Sequence, residues 1–516
     1  MSIGRLRAAR PFTAALSSDF AFALPAVAIA TVFAFACGTL AWQLNVWQDE
    51  AYSLHTTGGS LANALQQGLY FEAQAPLYFV LLWFWRLPEH APFEARILSI
   101  LMVLGALFVA RWFAQRYLRG VNADLVMAAI ALNPFTVWAA VEARSYGAII
   151  LLSALLIALF FRGFLDERPS TSARVAFVVL AAAGIYTQYY IAGLVAAGGC
   201  TLALMRRWRA LLWYIAGGLA VCVAISPLAA IIPLQMRAYS AFSEAMPLPA
   251  YAIAIAPLGF LFPHDWIASW AHDPIRNALY AVVLAVPLAL AVRGIRRVST
   301  EAIALVSLTA FVCAFFALVI GVADQRLLMP RHTAVLLVPT LLAAFALVAC
   351  APARRRALVL ASFACVYAAF SLASLWHDYA PMAKPGDWSR VAAFIGARGS
   401  AQDPVAVFDA EAELPLRMYT GGRNPIVPIP RPLAFDRFDE TTFALHDERE
   451  VADSLGRAAV GHDRVWLVRN DACDRAAAFY GCALLDGYVR RHFVVALEQR
   501  FAGSDVIELL PIAHRT

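Results

Sequence analysis

Charge is what this sequence has least of. Asp, Glu, Lys and Arg make up 15% of its 516 residues, and 61% are hydrophobic. A soluble globular domain carries roughly 25% charged residues, and the mean hydropathy here is +0.66. The shortage excludes an ordinary soluble protein and points to a polytopic membrane protein. The net charge of +6 is modest. Its basic residues cluster in short loops, which is how a membrane protein sets its orientation. No Lys/Arg stripe with interleaved aromatics is present, so a nucleic-acid groove is excluded.

Several motifs are missing as well. No HxxxH, no CxxC and no paired histidines occur, so no metal site is written in the sequence. No Walker loop and no GxGxxG after a strand supports nucleotide binding, and no GxSxG marks a nucleophile elbow. There is no low-complexity segment and no repeat of solenoid length. The start "MSIGRL" fits neither a lipidation pattern nor a transit peptide. The apolar run from Phe20 to about Leu44 exceeds the roughly 7–15 residues of a secretory signal core and lacks a clear cleavage site. It reads as an uncleaved first span.

What is there is a succession of apolar runs. A span needs about 20 apolar residues, and runs of that kind lie at roughly 20–44, 95–115, 122–140, 146–164, 174–187, 189–205, 210–233, 276–293, 300–321, 332–350 and 356–376. Two further stretches, about 75–87 and 250–263, are short and broken by proline. Arginines cluster at 5–10, 111–119, 162–174, 206–209, 293–297 and 354–356. If all these clusters face the cytoplasm, an even number of crossings separates each neighbouring pair. The 75–87 stretch then lies along the surface or re-enters, inside an outer loop covering 43–95. "YTQYY" (Tyr186 to Tyr190) becomes an outer turn, and 250–263 also stays outside. The expectation is about eleven spans, with the N-terminus cytoplasmic and the C-terminus outside.

The chain divides at that point into a membrane domain, 1–377, and an outer domain, 378–516. The second part reads as mixed α/β. "DWSRVAAFIGARG" (Asp387 to Gly399) has helical periodicity, and "PVAVFDA", "RVWLVRND", "HFVVALEQ" and "SDVIELL" read as short strands. Six of the eight cysteines lie in apolar runs, while Cys473 and Cys482 lie in the polar C-terminal part. A disulfide between these two fits an oxidising compartment, with two separate thiols as the alternative.

The polar residues able to do chemistry fall on the outer side. Asp49 and Glu50 open the first outer loop in "VWQDEAYSLHT", and Glu72 follows in "YFEAQAPLYF". Arg96 begins the second span. "EARSY" supplies Glu142, Arg144 and Tyr146, and "YTQYY" supplies Tyr189. "ADQRLLMPRHT" supplies Asp324, Arg326, Arg331 and His332, and "FPHDW" supplies His264 and Asp265. A carboxylate at a membrane surface can take a proton from a hydroxyl or amine, or bind a divalent metal. Arginines at span ends can hold a phosphate by forked, charge-assisted hydrogen bonds. Each group has a plainer reading too: a solvated loop carboxylate, a snorkelling arginine, an aromatic-belt tyrosine. Taken together they suit transfer of a group from a lipid-linked phosphate, with the lipid tail in the bilayer.

The set resembles the GT-C class of integral membrane glycosyltransferases. It looks closest to the bacterial relatives of protein O-mannosyltransferases and lipid A aminoarabinose transferases. The matching residues are the Asp49-Glu50 pair, "QAPLYF" (Gln74 to Phe79) opening a juxtamembrane helix, Arg96 in "FEARILSI", "EARSY", "YTQYY", the late "RHTAVLLVP", and a C-terminal outer domain opening at "DWSR". Gln74, Ala75, Gln188 and His332 depart from the family's usual His, Pro, His and Tyr. The resemblance implies a GT-C fold and an inverting transfer from a polyprenyl-phosphate sugar to an envelope acceptor: glycan, lipid A or protein. The setting it implies is the periplasmic face of a bacterial inner membrane. It implies Asp49 as catalytic base with Glu50 in support. Glu72, Arg96, Glu142, Arg144, Tyr146, Tyr189 and Arg331 become candidates for substrate contact, with Arg96, Arg144 and Arg331 facing the lipid phosphate. A divalent cation stays open as a cofactor. A transporter or lipid flippase, and a non-catalytic subunit of the same fold, are the alternatives.

Overall fold

The computed structural model describes residues 24–238, 250–261, 298–323 and 330–512. Within them the chain is a helical bundle followed by a small α/β region. Seven helices are long and apolar enough to cross a membrane: Leu24–Gln43 (α1), Pro92–Tyr117, Tyr146–Leu165, Trp208–Ala230, Thr300–Gly321, Arg331–Ala349 and Ala353–Tyr379. A further apolar stretch is bent, Ala123–Leu132 and Pro134–Ala140 meeting at 68°, and counted together the pair is long and apolar enough to cross. Proline has no N–H to continue the helical ladder. Asn133 caps the new segment by accepting from the Phe135 N–H at 3.0 Å. Tyr367 donates to the Ala129 carbonyl at 2.7 Å, so the break stays satisfied within the bundle. Two shorter apolar helices, Thr171–Thr187 and Ile191–Leu204, meet at the "YTQYY" turn. Ten of the eleven expected spans thus have a helical counterpart. The remaining one, 276–293, lies outside the described residues, as do His264, Asp265, Asp324 and Arg326.

The segment between the first two spans is helical but crosses nothing. It holds Gln48–Thr56 (α2), Leu61–Tyr70 (α3) and Leu77–Trp85 (α4). Nine residues of α4 rise only about 13–14 Å, less than half of a bilayer core of about 30 Å. Ser60 caps α3 by accepting from the Asn63 N–H at 3.2 Å. Arg86, at the end of α4, reaches back to donate to the Leu54 carbonyl at 2.7 Å and the Thr57 hydroxyl at 2.5 Å. That staple fixes α2 against α4. Ala250–Leu261 is another short helix, with Pro257 inside it.

The C-terminal region builds a five-stranded sheet. Val405–Phe408 (β1), Ile426–Pro428 (β2), Val465–Asn470 (β3), Phe493–Phe501 (β4) and Ser504–Pro511 (β5) run in the order β2-β1-β3-β5-β4. The β1 pairings with β2 and β3 are parallel, and those of β5 with β3 and β4 are antiparallel. The four expected strands and the helix at Trp388–Arg398 are present, and β2 is an addition. β1 is wholly buried, as its unbroken apolar sequence requires. Cys473 and Cys482 are joined, with their Cα atoms 5.9 Å apart. The core of this region does not end at its own sequence: Tyr52 of α2 and Phe71 pack into it, and Phe435 stacks on His55 at 4.0 Å. The loop between the first two spans is therefore shared by both parts of the chain.

Candidate active site around the Asp49–Glu50 pair

Asp49 and Glu50 lie in the first turn of α2, where the positive end of the helix dipole favours acidic side chains. Adjacent positions on a helix point about 100° apart, so the two carboxylates enter different surroundings. Glu50 turns inward and is completely buried. Arg96 grips it with both fork positions, Nε to Oε1 at 2.8 Å and Nη2 to Oε2 at 2.7 Å. The Ala143 N–H donates to Oε1 at 2.9 Å, and the Lys384 ammonium donates to Oε2 at 2.7 Å. Four donors fill the four acceptor sites of the carboxylate. Burial works against its charge, but Arg96 and Lys384 outweigh it and hold the carboxyl down at about 2.

Arg96 is just as fully engaged. Besides Glu50 it donates to the carbonyls of Ala41, Leu44 and Asn45 at 2.7, 2.8 and 2.9 Å. All five guanidinium N–H groups are thereby used, and the side chain is buried. The expected phosphate contact has no donor left to make it. Arg96 instead closes the end of α1 onto the helix Pro92–Tyr117.

Asp49 meets a different environment. Its side chain is 16% exposed. Its Oδ2 is buried yet accepts no hydrogen bond from any described residue. Two guanidinium groups face that oxygen, Arg331 at 3.3 Å and Arg144 at 3.8 Å. Arg144 is itself held from behind, donating through Nη1 to Glu72 at 2.6 Å, to the Ser53 hydroxyl at 2.9 Å and to the Asp49 carbonyl at 3.1 Å. Burial raises the Glu72 carboxyl above its ordinary range in spite of that ion pair. The turn carrying Arg144 is pressed onto the neighbouring helix. Ser99 donates to the Glu142 carbonyl at 2.6 Å, and a Cβ on Gly147 would stand 2.9 Å from the Ser99 carbonyl oxygen.

Glu142 lies between the two settings. Its carboxylate accepts from the Trp47 indole and sits 3.0 Å from the Lys384 ammonium. Burial raises it, Lys384 draws it back and Glu50 pushes it up again, leaving it at about 7. The Trp47 ring carries the Arg331 guanidinium 5.6 Å from its centre. Tyr146 opens the following helix with its ring 4.6 Å from that of Trp138. Tyr189 sits at the "YTQYY" turn, and its hydroxyl has no hydrogen-bond partner among the described residues.

Three contributors come from the C-terminal region, and none was singled out in the sequence. Lys384 reaches Glu50 and Glu142. Glu411 accepts from Gln48 and from the Tyr52 hydroxyl, the latter at 2.8 Å. The Tyr419 hydroxyl accepts from the Val46 N–H at 2.6 Å. One signal was available: Lys384 is the only lysine in a chain that otherwise uses arginine throughout. Among the described residues, no three His, Cys, Asp or Glu side chains converge where they could hold a metal ion.

No family model and no curated protein sequence matches the chain. Solved structures do. ArnT from Cupriavidus metallidurans, bound to undecaprenyl phosphate, is similar with a TM-score of 0.51 at 17% identity, covering 96% of this chain and 98% of that one. The Archaeoglobus fulgidus oligosaccharyltransferase, in complex with Zn and sulfate, is similar with a TM-score of 0.45 at 10% identity, covering 93% and 72%. The chain thus shares the fold of that ArnT structure over 96% of its length.

Proposed function

We propose that the protein is an integral membrane glycosyltransferase, moving a sugar from a polyprenyl-phosphate donor onto an envelope acceptor. The observation that carries this is the Asp49 Oδ2 atom, a buried oxygen with no hydrogen-bond donor, facing two guanidinium groups. In the reaction, Asp49 accepts the proton of an acceptor hydroxyl or amine as that atom bonds to the anomeric carbon. The bond from that carbon to the phosphate oxygen breaks, and its electron pair leaves with the polyprenyl phosphate. Arg331, supported by Arg144, faces the departing charge. A single displacement inverts the anomeric centre and needs no covalent enzyme intermediate. Glu72 keeps Arg144 oriented, Glu142 keeps Trp47 in place, and Tyr146 and Tyr189 flank the lipid side. Glu50 and Arg96 build the frame. The two guanidinium groups beside Asp49 also disfavour a divalent cation at that oxygen.

The setting follows from the same reading: a bacterial inner membrane, the N-terminus inside, the 378–516 domain outside, and no nucleic acid as partner. A flippase or transporter would place ionisable groups along a mid-span path. Here the dense cluster of acids and bases lies at one end of the bundle. A fold relative solved with undecaprenyl phosphate makes polyprenyl phosphate the lipid to try first. The test is mass spectrometry of lipid bound to the purified protein, followed by transfer from a polyprenyl-phosphate sugar. Binding together with product formation supports the reading. Wild-type protein that binds no polyprenyl phosphate overturns it, and binding without turnover leaves the non-catalytic subunit.

A further inference from the structure

We infer that Lys384 is a positioning residue for the transfer, clamping the entry of the C-terminal region onto the two segments that carry Asp49 and Arg144. This rests on the transferase reading for its kinetic consequence, but the clamp itself can be tested without it.

The geometry is a three-way junction. The Lys384 ammonium donates to Glu50 Oε2 at 2.7 Å and to the Val141 carbonyl at 2.8 Å, and it forms an ion pair with Glu142 Oε1 at 3.0 Å, an oxygen with no hydrogen-bond donor among the described residues. Its backbone N–H donates to Asn45 Oδ1 at 2.7 Å. One residue thus joins the stretch after the last span to the start of α2 and to the turn at 141–144. The side chain is 6% exposed. A buried ammonium is stable only with such partners, and an arginine would not fit a three-point socket built around one nitrogen.

From Lys384 two short routes lead to the site. Through Glu50 it fixes the first turn of α2, whose next residue back is Asp49. Through Glu142 it fixes the Trp47 indole, on whose ring Arg331 lies. Neither route touches substrate. The charges facing Glu142 are Lys384, Glu50 and Arg96, with the Tyr146 and Tyr379 hydroxyls near it. Two carboxylates and two cations therefore balance inside one sealed junction. Removing the lysine leaves Glu50 and Glu142 sharing Arg96.

The tests use the fact that the chain has one ε-amine. Folded wild-type protein, carried on a lysine-free tag, is treated with an amine-acylating reagent and its intact mass followed. Lys384 should stay unmodified until the protein is denatured. Acylation at the rate of a free amine overturns the clamp, whatever the protein's activity. Where slow acylation does occur, loss of sugar transfer should track it one for one while polyprenyl-phosphate binding persists. Acylated protein with full activity overturns the inference. In parallel, Lys384→Met should lower kcat by about 30- to 100-fold, the scale of a misplacement near 1 Å, with donor KM changed less than about threefold. The Glu142→Gln exchange added to it restores the charge balance and keeps an acceptor for Trp47, and should recover most of kcat. A double variant no better than the single one, or a single one matching wild type, overturns the inference. If wild type transfers nothing, the transferase reading fails, and the labelling result still decides the clamp.

Discussion

Asp49 and Glu50 are neighbours in sequence and opposites in circumstance. Glu50 has a donor for every acceptor site, two cations against it and no exposure. Asp49 keeps an oxygen without a hydrogen bond and faces guanidinium groups that stand off from it. A carboxylate whose capacity is filled can hold structure together but cannot take a proton. One left short of partners costs stability, and such groups are tolerated where chemistry needs them. On the proposed transferase reading, the difference divides the acidic pair into a frame member and a reactive group, a division that the "QDEA" string alone does not make.

The division breaks most directly at Asp49. Asp49→Asn should lower sugar transfer by about 10³-fold, within the range of a lost general base, and leave the thermal melting of the detergent-solubilised protein unchanged. A variant that melts early and transfers normally would reverse the two assignments. Glu50→Gln should do the opposite. It leaves Arg96 and Lys384 buried without their carboxylate, and breaking such a pair costs about 3–5 kcal/mol. Melting and folded yield should drop, while the surviving folded fraction keeps more activity than Asp49→Asn does.

Much of the frame could be read in advance because it rests on local rules. Span positions follow apolar run length. Charge parity kept the 75–87 stretch out of the crossings, the family resemblance made it a helix, and the four main strands followed from apolar runs bounded by turn residues. The acidic pair, "EARSY" and Arg331 do converge on one place. What escaped was long-range. Arg96 carries the same charge as Arg331, and only its carbonyl partners Ala41, Leu44 and Asn45 reveal that its donors are taken. Lys384 lies more than 330 positions from Glu50, and no periodicity links them. Glu411 and Tyr419 reach α2 from a region that looks like a separate domain in sequence. Shared cores between distant segments are set by packing, and packing leaves no mark within a local window.

A smaller effect sharpens the contrast through pH. Glu142 sits at about 7 when folded, against an ordinary 4.5. Between those values the folded protein binds the extra proton, so stability falls as pH rises through the window. Glu50, held at about 2, acts the other way, its contribution being lost only as pH falls below about 4.5. Wild-type melting should therefore decline from pH 5 to 7, by on the order of 2–3 kcal/mol at most. Glu142→Gln should flatten that decline. A slope that survives the substitution would place the titration elsewhere.

The mildest change concerns the two arginines once grouped together. Arg331 is 27% exposed and lies over the Trp47 ring, so its charge is partly screened by water and its replacement should leave the frame intact. Arg331→Gln should weaken donor binding by about tenfold, or about 1.4 kcal/mol, visible as a raised donor KM with melting unchanged. Added salt should weaken the wild type toward the variant, because the contact is half-open to ions. Arg331→Lys should recover part of the loss, since a point charge can still face a phosphate. Arg96→Lys gives the opposite pattern. It loses the fork on Glu50 and two or more carbonyl contacts, so melting falls while the folded remainder binds donor normally and responds to salt as wild type does. If instead Arg96→Lys raised the donor KM without loss of stability, the sealed cluster would be opening during turnover, and the line between frame and reactive group would have to be redrawn around a moving Arg96.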